Sequence, residues 1–407
     1  MPDVDEYSAR DSQARLLSAV RQVMEVQDVS IGGPGIGYAF RFRGRLLWDS
    51  QQAYDSLEPH FRNEGLTLLF RRAQNLHVVL AMPGLIQPRP SNPRVNLLLF
   101  LATVPSVLLA GLLYAGDPGE AGNLPLTQVL WSALPGAITF TASLLAILLA
   151  HEFGHYLAAR SHRSPVTLPY FLPFPGSLLG TLGAFIQLKA PPRNRRALLD
   201  IGLAGPLAGL AIALPVLFIG LSLSEVSTLP ARVSGDSGLV LEGNSLLYLG
   251  LKYAVTGEWL PRPADFGPAG PGLYWLRYFF SGLPVPLGGQ DVTLHPMAWA
   301  GWAGLMVTAL NLIPAGQLDG GHALYVLLGD RASRVWPFLV VGLAVLGLVW
   351  PGWWLWAALI FFLGRVFAQP LDDITPLDPR RKALAIAGII LFALVFTPVP
   401  LRSVMGA

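Results

Sequence analysis

The chain has 407 residues, of which 53% are hydrophobic and only 13% are charged. A soluble domain of ordinary composition carries about 25% charged residues, so this composition excludes a typical soluble protein and predicts an integral membrane protein. The net charge of +3 is too small to indicate a nucleic-acid partner. Cysteine is absent, which excludes disulfides and thiolate metal ligands and leaves His, Asp and Glu for any zinc ion.

Residues 1–87 differ from the rest of the chain in their mixed, polar patterning and predict a small soluble α+β domain with the element order αββαββ. The spacing of apolar residues predicts, in chain order, a helix over 13–26, a hairpin over 36–48, a helix up to Asn63 that Asp49 or Ser50 caps, and strands at 66–70 and 76–81. The predicted hairpin turns at residues 43–45. The first residues are acidic and polar, so we expect no cleavable signal peptide.

A stiff, proline-rich linker at residues 88–94 leads to a membrane domain predicted for residues 95–401. Apolar runs of about 20 residues are long enough to span a bilayer. About seven such runs lie near residues 95–115, 129–158, 198–222, 296–316, 335–350, 353–369 and 383–400. The sequence therefore predicts a polytopic α-helical membrane protein of about seven spans.

Basic residues concentrate in the loops after the second, fourth and sixth predicted spans, which lie on one side of a seven-span protein. By the positive-inside rule that side is the cytoplasm, with the N-terminal domain on it and the C-terminus outside. We expect a prokaryotic cell membrane in preference to a plastid membrane. Residues 224–295 then form a long external segment, within which residues 244–255 predict a helix lying at the membrane surface.

Residues 164–190 are apolar but contain four prolines followed by three glycines, which excludes a spanning helix. Non-helical backbone at membrane depth survives where protein or a water-filled cavity satisfies it. We therefore predict a re-entrant segment with a β-hairpin in its second half, from Thr181 to Lys189. The alternative is a loop resting on the membrane surface. An edge strand near residues 183–188 would leave backbone groups able to pair with another extended segment.

The sequence H-E-F-G-H at residues 151–155 lies near the end of the second predicted span. On a helix, His151 and His155 share one face, so both imidazoles can bind the same metal ion. Glu152 lies about 100° round the helix, close enough to act on water at that metal. Ionisable residues inside a membrane are costly and mark functional sites. The alternative interpretation is two ordinary histidines near the interface.

A catalytic zinc ion takes three protein ligands and leaves one position for water. Asp319 is the candidate third ligand, because it follows a span that crosses in the same direction as the span of His151 and therefore lies at a similar depth. His322 shares the helical face of Asp319 and is assigned an orienting or capping role, since a fourth ligand would close the site. The remaining histidines are predicted to lie outside the site: His60, His77, His162 and His295.

Two motifs together resemble the site-2 protease family of intramembrane zinc metalloproteases. They are H-E-F-G-H and N-L-I-P-A-G-Q-L-D-G-G-H at residues 311–322, and the likeness covers most of residues 95–400. Three further segments are also similar: G-A-F-I-Q-L-K at 183–189, G-P-L-A-G at 205–209 and H-P-M-A-W-A-G-W at 295–302. The soluble N-terminal domain resembles that of the plastid and bacterial branch that lacks a PDZ domain.

The resemblance implies that His151, His155 and Asp319 bind one Zn²⁺ ion per chain, and that Glu152 acts as general base and then as acid. It assigns Asn311 to the substrate backbone or the oxyanion. The alternative role of Asn311, which the residues alone leave open, is to hydrogen-bond the helix break before Pro314.

The predicted function is hydrolysis of peptide bonds within or near transmembrane helices, with a transmembrane protein substrate and the lipid bilayer as partners and no nucleic acid. A membrane metal transporter or metal-sensing protein is the second hypothesis, and an inactive scaffold is the third. Transport requires ligands at successive depths, whereas these cluster near one side. The sequence leaves open the substrate, any prior cleavage, the gate, the oligomeric state and the role of residues 1–87.

Overall fold

The computed structural model describes residues 4–32, 35–115, 125–233, 238–268 and 270–405. Their buried apolar side chains form a core within residues 16–81 and a larger helical core within residues 107–395. A smaller cluster lies between residues 313 and 360. The N-terminal residues therefore have a core of their own, separate from that of the apolar helices.

The N-terminal part is a four-stranded antiparallel sheet packed against two helices. Its elements are α1 (Val4–Val23), β1 (Met24–Ile31), β2 (Phe40–Leu46), α2 (Ser50–Asn63), β3 (Leu66–Ala73) and β4 (Leu76–Pro83). The strand order is β1-β2-β4-β3, which leaves β3 at one edge. Val20 of α1, Phe61 of α2 and Phe42 of β2 are fully buried between the layers. The backbone N–H groups of Gln51 and Gln52 donate to the Asp49 side chain, which caps α2 as predicted.

The hairpin predicted to turn at residues 43–45 is wrong. Arg43, Gly44 and Arg45 lie inside β2 and pair with β1, so the first hairpin joins β1 to β2. A Cβ at Gly44 would lie 2.0 Å from the carbonyl oxygen of Glu25, so glycine permits a close approach of two strands here. Helix α1 also ends at Val23, three residues before the predicted end at residue 26, because Met24–Ile31 forms a strand.

Within the described residues, three helices are long and apolar enough to cross a bilayer. They are α3 (Pro93–Ala115), α4 (Leu126–Ser161) and α5 (Arg195–Ser222). The later apolar runs form shorter helices: α8 (Pro296–Asn311), α9 (Asp319–Leu328), α10 (Trp336–Gly347), α11 (Gly352–Leu363) and α12 (Pro379–Val395). A 12-residue helix such as α10 or α11 is about 18 Å long, against about 30 Å of hydrocarbon. The structure therefore agrees with the predicted helical membrane architecture, and the count of seven spans stays a prediction.

The proline- and glycine-rich segment after α4 contains an antiparallel hairpin of β5 (Tyr170–Pro173) and β6 (Thr181–Phe185). Its strands come from both halves of residues 164–190, not from the second half alone as predicted. Pro173 ends β5, because proline has no amide group to continue the ladder. The Asn96 side chain of α3 donates to the carbonyls of Leu168 and Pro169 at 2.8 and 3.0 Å. The hairpin is thereby attached to the helices.

The described parts of residues 224–295 contain two short helices and three short strands. They are β7 (Glu225–Thr228), β8 (Gly238–Glu242), α6 (Leu246–Thr256), α7 (Gly270–Ser281) and β9 (Gln290–Thr293). Strand β7 pairs with β9, and β8 pairs with β10 (Leu401–Met405) at the end of the chain. This pairing puts the last strand on the same side of the helices as the 224–295 segment. The helix predicted at 244–255 is present as α6.

Candidate metal centre

His151 and His155 lie one turn apart on α4, on the face that packs against α5 and α8. Their side chains are 3% and 9% exposed. The helical register brings the two Nε2 atoms to 3.2 Å from each other, as the i, i+4 spacing requires for a shared ion.

Asp319 reaches the same point from a different element. Helix α8 ends at Asn311, the chain turns through residues 312–318, and Asp319 begins α9. The turn is tight: a Cβ at Gly320 would lie 1.9 Å from the carbonyl oxygen of Leu312. Glycine at this position therefore lets α9 fold back against the end of α8 and point Asp319 at α4.

The three candidate ligand atoms form a nearly equilateral triangle, called the ligand triangle below. Oδ2 of Asp319 lies 3.4 Å from Nε2 of His151 and 3.4 Å from Nε2 of His155. A tetrahedral zinc ion with bonds of about 2.0–2.1 Å separates its ligand atoms by about 3.3–3.4 Å. Two imidazoles and one carboxylate are a donor set that zinc hydrolases use. The geometry and the chemistry of these residues therefore both fit zinc.

The tautomer of His155 is fixed by its other nitrogen. Nδ1 of His155 lies 2.7 Å from the carbonyl oxygen of Ile201 on α5, which can only accept, so Nδ1 carries the proton and donates it. Nε2 is then left with its lone pair facing His151 and Asp319. A hydrogen bond of this kind orients a metal-binding imidazole and makes it a better ligand.

Glu152 and Asn311 face the same cavity, of about 650 Å³. Glu152 is 4% exposed, and among the described residues its Oε2 has no hydrogen-bond partner. A buried carboxylate oxygen without a partner is costly unless a ligand or water completes it. Nδ2 of Asn311 lies 3.4 Å from Nε2 of His151, so Asn311 borders the ligand triangle.

His322 lines the cavity but is not part of the ligand triangle. Within the described residues, the group whose ligand atoms all lie within 4.8 Å of one another contains His151, His155 and Asp319. His322 is buried beside them, and its Nδ1 has no partner within the described residues. The histidines predicted to lie outside the site are indeed absent from the residues that line this cavity: His60, His77, His162 and His295.

The resemblance includes G-P-L-A-G at residues 205–209 but gives its glycines no role, and the structure places them against the site. A Cβ at Gly205 would lie 2.0 Å from Nε2 of His155, and one at Gly209 would lie 3.1 Å from Nδ1 of His151. Gly202 meets His322 in the same way, at 2.9 Å. The signal was visible as small residues repeating every three or four positions in a span, the pattern of close helix packing.

The cavity is bordered on another side by the backbone that continues β6. Residues 184–192 line it, together with Gln317, Leu318 and Gln369. Strand β6 pairs with β5 along one edge, and residues 187–189 return to residues 165–167 through hydrogen bonds of 2.8–3.0 Å. The ligand triangle therefore lies at the base of a cavity walled by extended backbone.

Comparison with known proteins agrees with this geometry. A sequence model of Peptidase family M50 matches residues 139–346, half of the chain, which include every residue of the ligand triangle. The chain is 31% identical over 323 residues to "Probable zinc metalloprotease EGY1, chloroplastic" of Arabidopsis thaliana, covering 75% of this chain and 53% of that protein. It is 27% identical over 374 residues to "Probable zinc metalloprotease EGY2, chloroplastic" of Oryza sativa subsp. indica, covering 88% and 61%.

The chain spans about half the length of the curated relatives it matches first. No solved structure matches it. The resemblance carried by H-E-F-G-H and the Asp319 motif is confirmed by the family match, and the chain belongs to Peptidase family M50.

Proposed function

We propose that this protein is a zinc-dependent intramembrane protease that hydrolyses peptide bonds within or near transmembrane helices. The observation that carries the proposal is the placement of Glu152. Its buried carboxylate borders the same cavity as the three converging ligand atoms. Peptide hydrolysis needs a base beside an activated water, and a helix that presents H-E-x-x-H supplies both.

Each group would have a separate part in the reaction. When bound by His151, His155 and Asp319, zinc would bring the pKa of water from 15.7 to about 7 and polarise a carbonyl. Glu152 takes the proton of the attacking water and passes it to the leaving amine. The Asn311 amide donates to the oxyanion or to the substrate backbone, a role that its position at the rim of the triangle supports.

A transmembrane substrate must also expose its backbone before it can be cleaved. The carbonyls of a helix are held in internal hydrogen bonds, so the helix must unwind before attack, and unpaired backbone groups in lipid cost several kcal/mol each. The extended residues 184–189 beside the cavity provide backbone with which an unwound segment can pair as an added strand. We propose this as the mode of substrate binding.

We also propose that the chain crosses the membrane with its N-terminal domain and catalytic cavity near the cytoplasmic side. The basic loops support this orientation. The pairing of β10 with β8 agrees with the expectation that the C-terminus and residues 224–295 lie on one side. This orientation does not depend on whether α10 and α11 cross the membrane. A pair of helices that crosses twice, or not at all, returns the chain to the side from which it came. The plant relatives carry plastid names, which does not favour the prokaryotic membrane expected from the sequence.

The decisive experiment compares Glu152→Gln with a matched control, Glu225→Gln, whose exposed carboxylate lies outside the cavity. Both proteins are purified in detergent, their zinc content is measured, and cleavage of a transmembrane-helix substrate is followed by mass spectrometry. We expect both to keep zinc and only Glu152→Gln to lose cleavage. Unchanged cleavage by Glu152→Gln would falsify the mechanism, and zinc transport that survives the substitution would favour the transporter hypothesis.

A further inference from the structure

The segment between α11 and α12 pairs with the N-terminal sheet. At its free edge, β3 pairs with residues 371–373: the amide group of Phe70 donates to Leu371 at 2.9 Å and its carbonyl accepts from Asp373 at 3.1 Å. The same short segment pairs on its other side with residues 192–193, at 2.8 and 2.9 Å. Residues 370–373 therefore form a strand-like connection between the soluble domain and the backbone that leads into α5.

A second cavity, of about 610 Å³, lies beside this connection, between the soluble domain and the end of α4. Small-molecule sites occupy about 300–1,000 Å³ and occur preferentially between domains. The volume nearly equals that of the cavity holding the ligand triangle, about 650 Å³. Size and position both suit a small ligand.

The charges that line this interdomain cavity are mainly positive. Three arginines contribute, Arg62, Arg163 and Arg193, against one carboxylate, Glu58. Arg62 is paired with Glu58, and Arg193 is paired with Asp55 beside the cavity. No carboxylate among the described residues forms an ion pair with Arg163. With Arg62 and Arg193 paired, Arg163 is the guanidinium group left to attract an anion, and guanidinium groups bind phosphate with particular geometric specificity.

Arg163 adopts a conformation that its residue type disfavours. It follows His162, the C-cap of α4, with a φ of +53°. Glycine is the residue that usually occupies this left-handed position after a helix, because a Cβ is strained there. Arg163, which is exposed and lines the interdomain cavity, keeps this conformation despite that strain, an outlier of the kind found at ligand sites.

The two cavities share a wall. Ala190 and Pro191 line both of them, Lys189 and Pro192 line the catalytic one, and Arg193 lines the interdomain one. Two consecutive prolines, Pro191 and Pro192, restrict the φ angles of this wall. It continues directly into residues 184–188, the backbone that we propose pairs with substrate.

We propose that the interdomain cavity binds a small phosphate-bearing ligand through Arg62, Arg163 and Arg193, and that this ligand orders residues 184–193 at the catalytic cavity. The phosphate belongs either to a soluble metabolite or to a phospholipid headgroup. Its binding is independent of peptide hydrolysis, whereas its regulatory effect rests on the proposed function.

The test measures binding of sn-glycerol 3-phosphate, which carries a headgroup phosphate without acyl chains, to the full chain in nanodiscs of phosphatidylcholine. Glu152→Gln serves as the background, so that binding is scored without turnover. We expect saturable binding that Arg163→Gly weakens about tenfold or more, the effect of one charge-assisted contact. Because glycine relieves the strain at this position, lost binding is not attributable to unfolding. Arg160→Gln, an exposed arginine outside the cavity, should bind within twofold of its parent.

Replacing part of the lipid by phosphatidylglycerol identifies the source. Weaker glycerol phosphate binding then shows that the headgroup competes for the site, and unchanged binding assigns the site to a soluble ligand.

Hydrogen exchange of residues 184–190 should slow when ligand is added. No saturable binding, or equal binding by Arg163→Gly and Arg160→Gln, overturns the site, and unchanged exchange overturns the coupling. A wild-type chain that cleaves without binding ligand refutes this inference alone, whereas one that binds ligand without cleaving refutes the proposed function.

Discussion

Gly205 on α5 lies directly against the imidazole of His155 on α4. A Cβ built at Gly205 would lie 2.0 Å from Nε2 and 2.3 Å from Cδ2 of that ring, far inside van der Waals contact. The ring cannot retreat freely, because its Nδ1 is held at 2.7 Å by the carbonyl of Ile201, one turn earlier on the same helix. Helix α5 thus holds this imidazole from two directions.

Gly205→Ala should therefore displace His155 and lower zinc affinity by about fivefold to 100-fold, since overpacking typically costs about 1–3 kcal/mol. Gly209→Ala should have a smaller effect, because the nearest His151 atoms are 3.1 Å from the added carbon. Zinc affinity is measured by competition with a chelator. Gly342→Ala is the control, as a Cβ there meets nothing within 4 Å. Wild-type zinc affinity in Gly205→Ala would contradict the packing argument.

The extended backbone beside the cavity gives a second prediction. Ile186→Pro removes an amide donor from the segment that we propose pairs with substrate, and this amide also interacts with Glu152. Cleavage should fall by a larger factor than zinc content, because Ile186 lines the cavity without belonging to the ligand triangle. The measurement is the initial rate of cleavage and the zinc content of the same preparation. Ile186→Val, which keeps the amide group, should retain activity. Parallel loss of zinc and cleavage in the proline variant would mean that the substitution acts through the metal site.

How much of the structure can be predicted from the sequence depends on how far apart in the chain the interacting residues lie. The ligand triangle was predictable, because the helical period fixes His151 against His155 and the direction of the spans fixes the depth of Asp319. The turn of the first hairpin was not, because Arg43-Gly44-Arg45 has good turn composition and only pairing with β1 makes it a strand. The alternation of apolar and polar side chains along β2 is visible in the local sequence. The strand with which β2 pairs depends instead on tertiary packing.

The same reasoning explains the other differences. Hydropathy over residues 335–369 is that of two spans, but hydropathy does not report where a helix stops, and α10 and α11 stop after 12 residues each. The role of Gly205 depends on which face of α5 meets α4. A single sequence shows the small-residue spacing of that helix without showing its neighbour.

Asn311 allows two roles that one pair of measurements separates. Its amide nitrogen lies 3.4 Å from Nε2 of His151 and faces the catalytic cavity. If it donates to the oxyanion, Asn311→Ala should lower kcat about 10²- to 10³-fold while zinc content and thermal stability stay near wild type. If it instead supports the break between α8 and α9, the melting temperature should fall and kcat should follow it. We expect the first result, and a lowered melting temperature with normal kcat per folded protein would reject it.

The last prediction concerns a buried charge cluster outside the predicted spans. Lys252 of α6 is fully buried, and its Nζ lies 3.3 Å from Oε1 of Glu242 and 3.5 Å from Oδ1 of Asp291. The hydroxyl of Tyr248 donates to the same Glu242 oxygen at 2.9 Å. Burial raises the pKa of Glu242, and the ammonium group opposes that rise. The cluster connects α6, β8 and β9, so it holds the 224–295 segment together.

Lys252→Met keeps the aliphatic bulk and removes the cation, leaving the buried carboxyl groups of Glu242 and Asp291 without a counter-charge. The loss should be about 3–5 kcal/mol of the free energy of unfolding, the usual cost of breaking a buried ion pair from one side. Thermal unfolding of the detergent-solubilised protein measures it. Adding Glu242→Gln to Lys252→Met should recover part of the loss, because it removes one unpaired charge. If the double variant is no more stable than Lys252→Met, the cluster stabilises this segment through packing and not through charge.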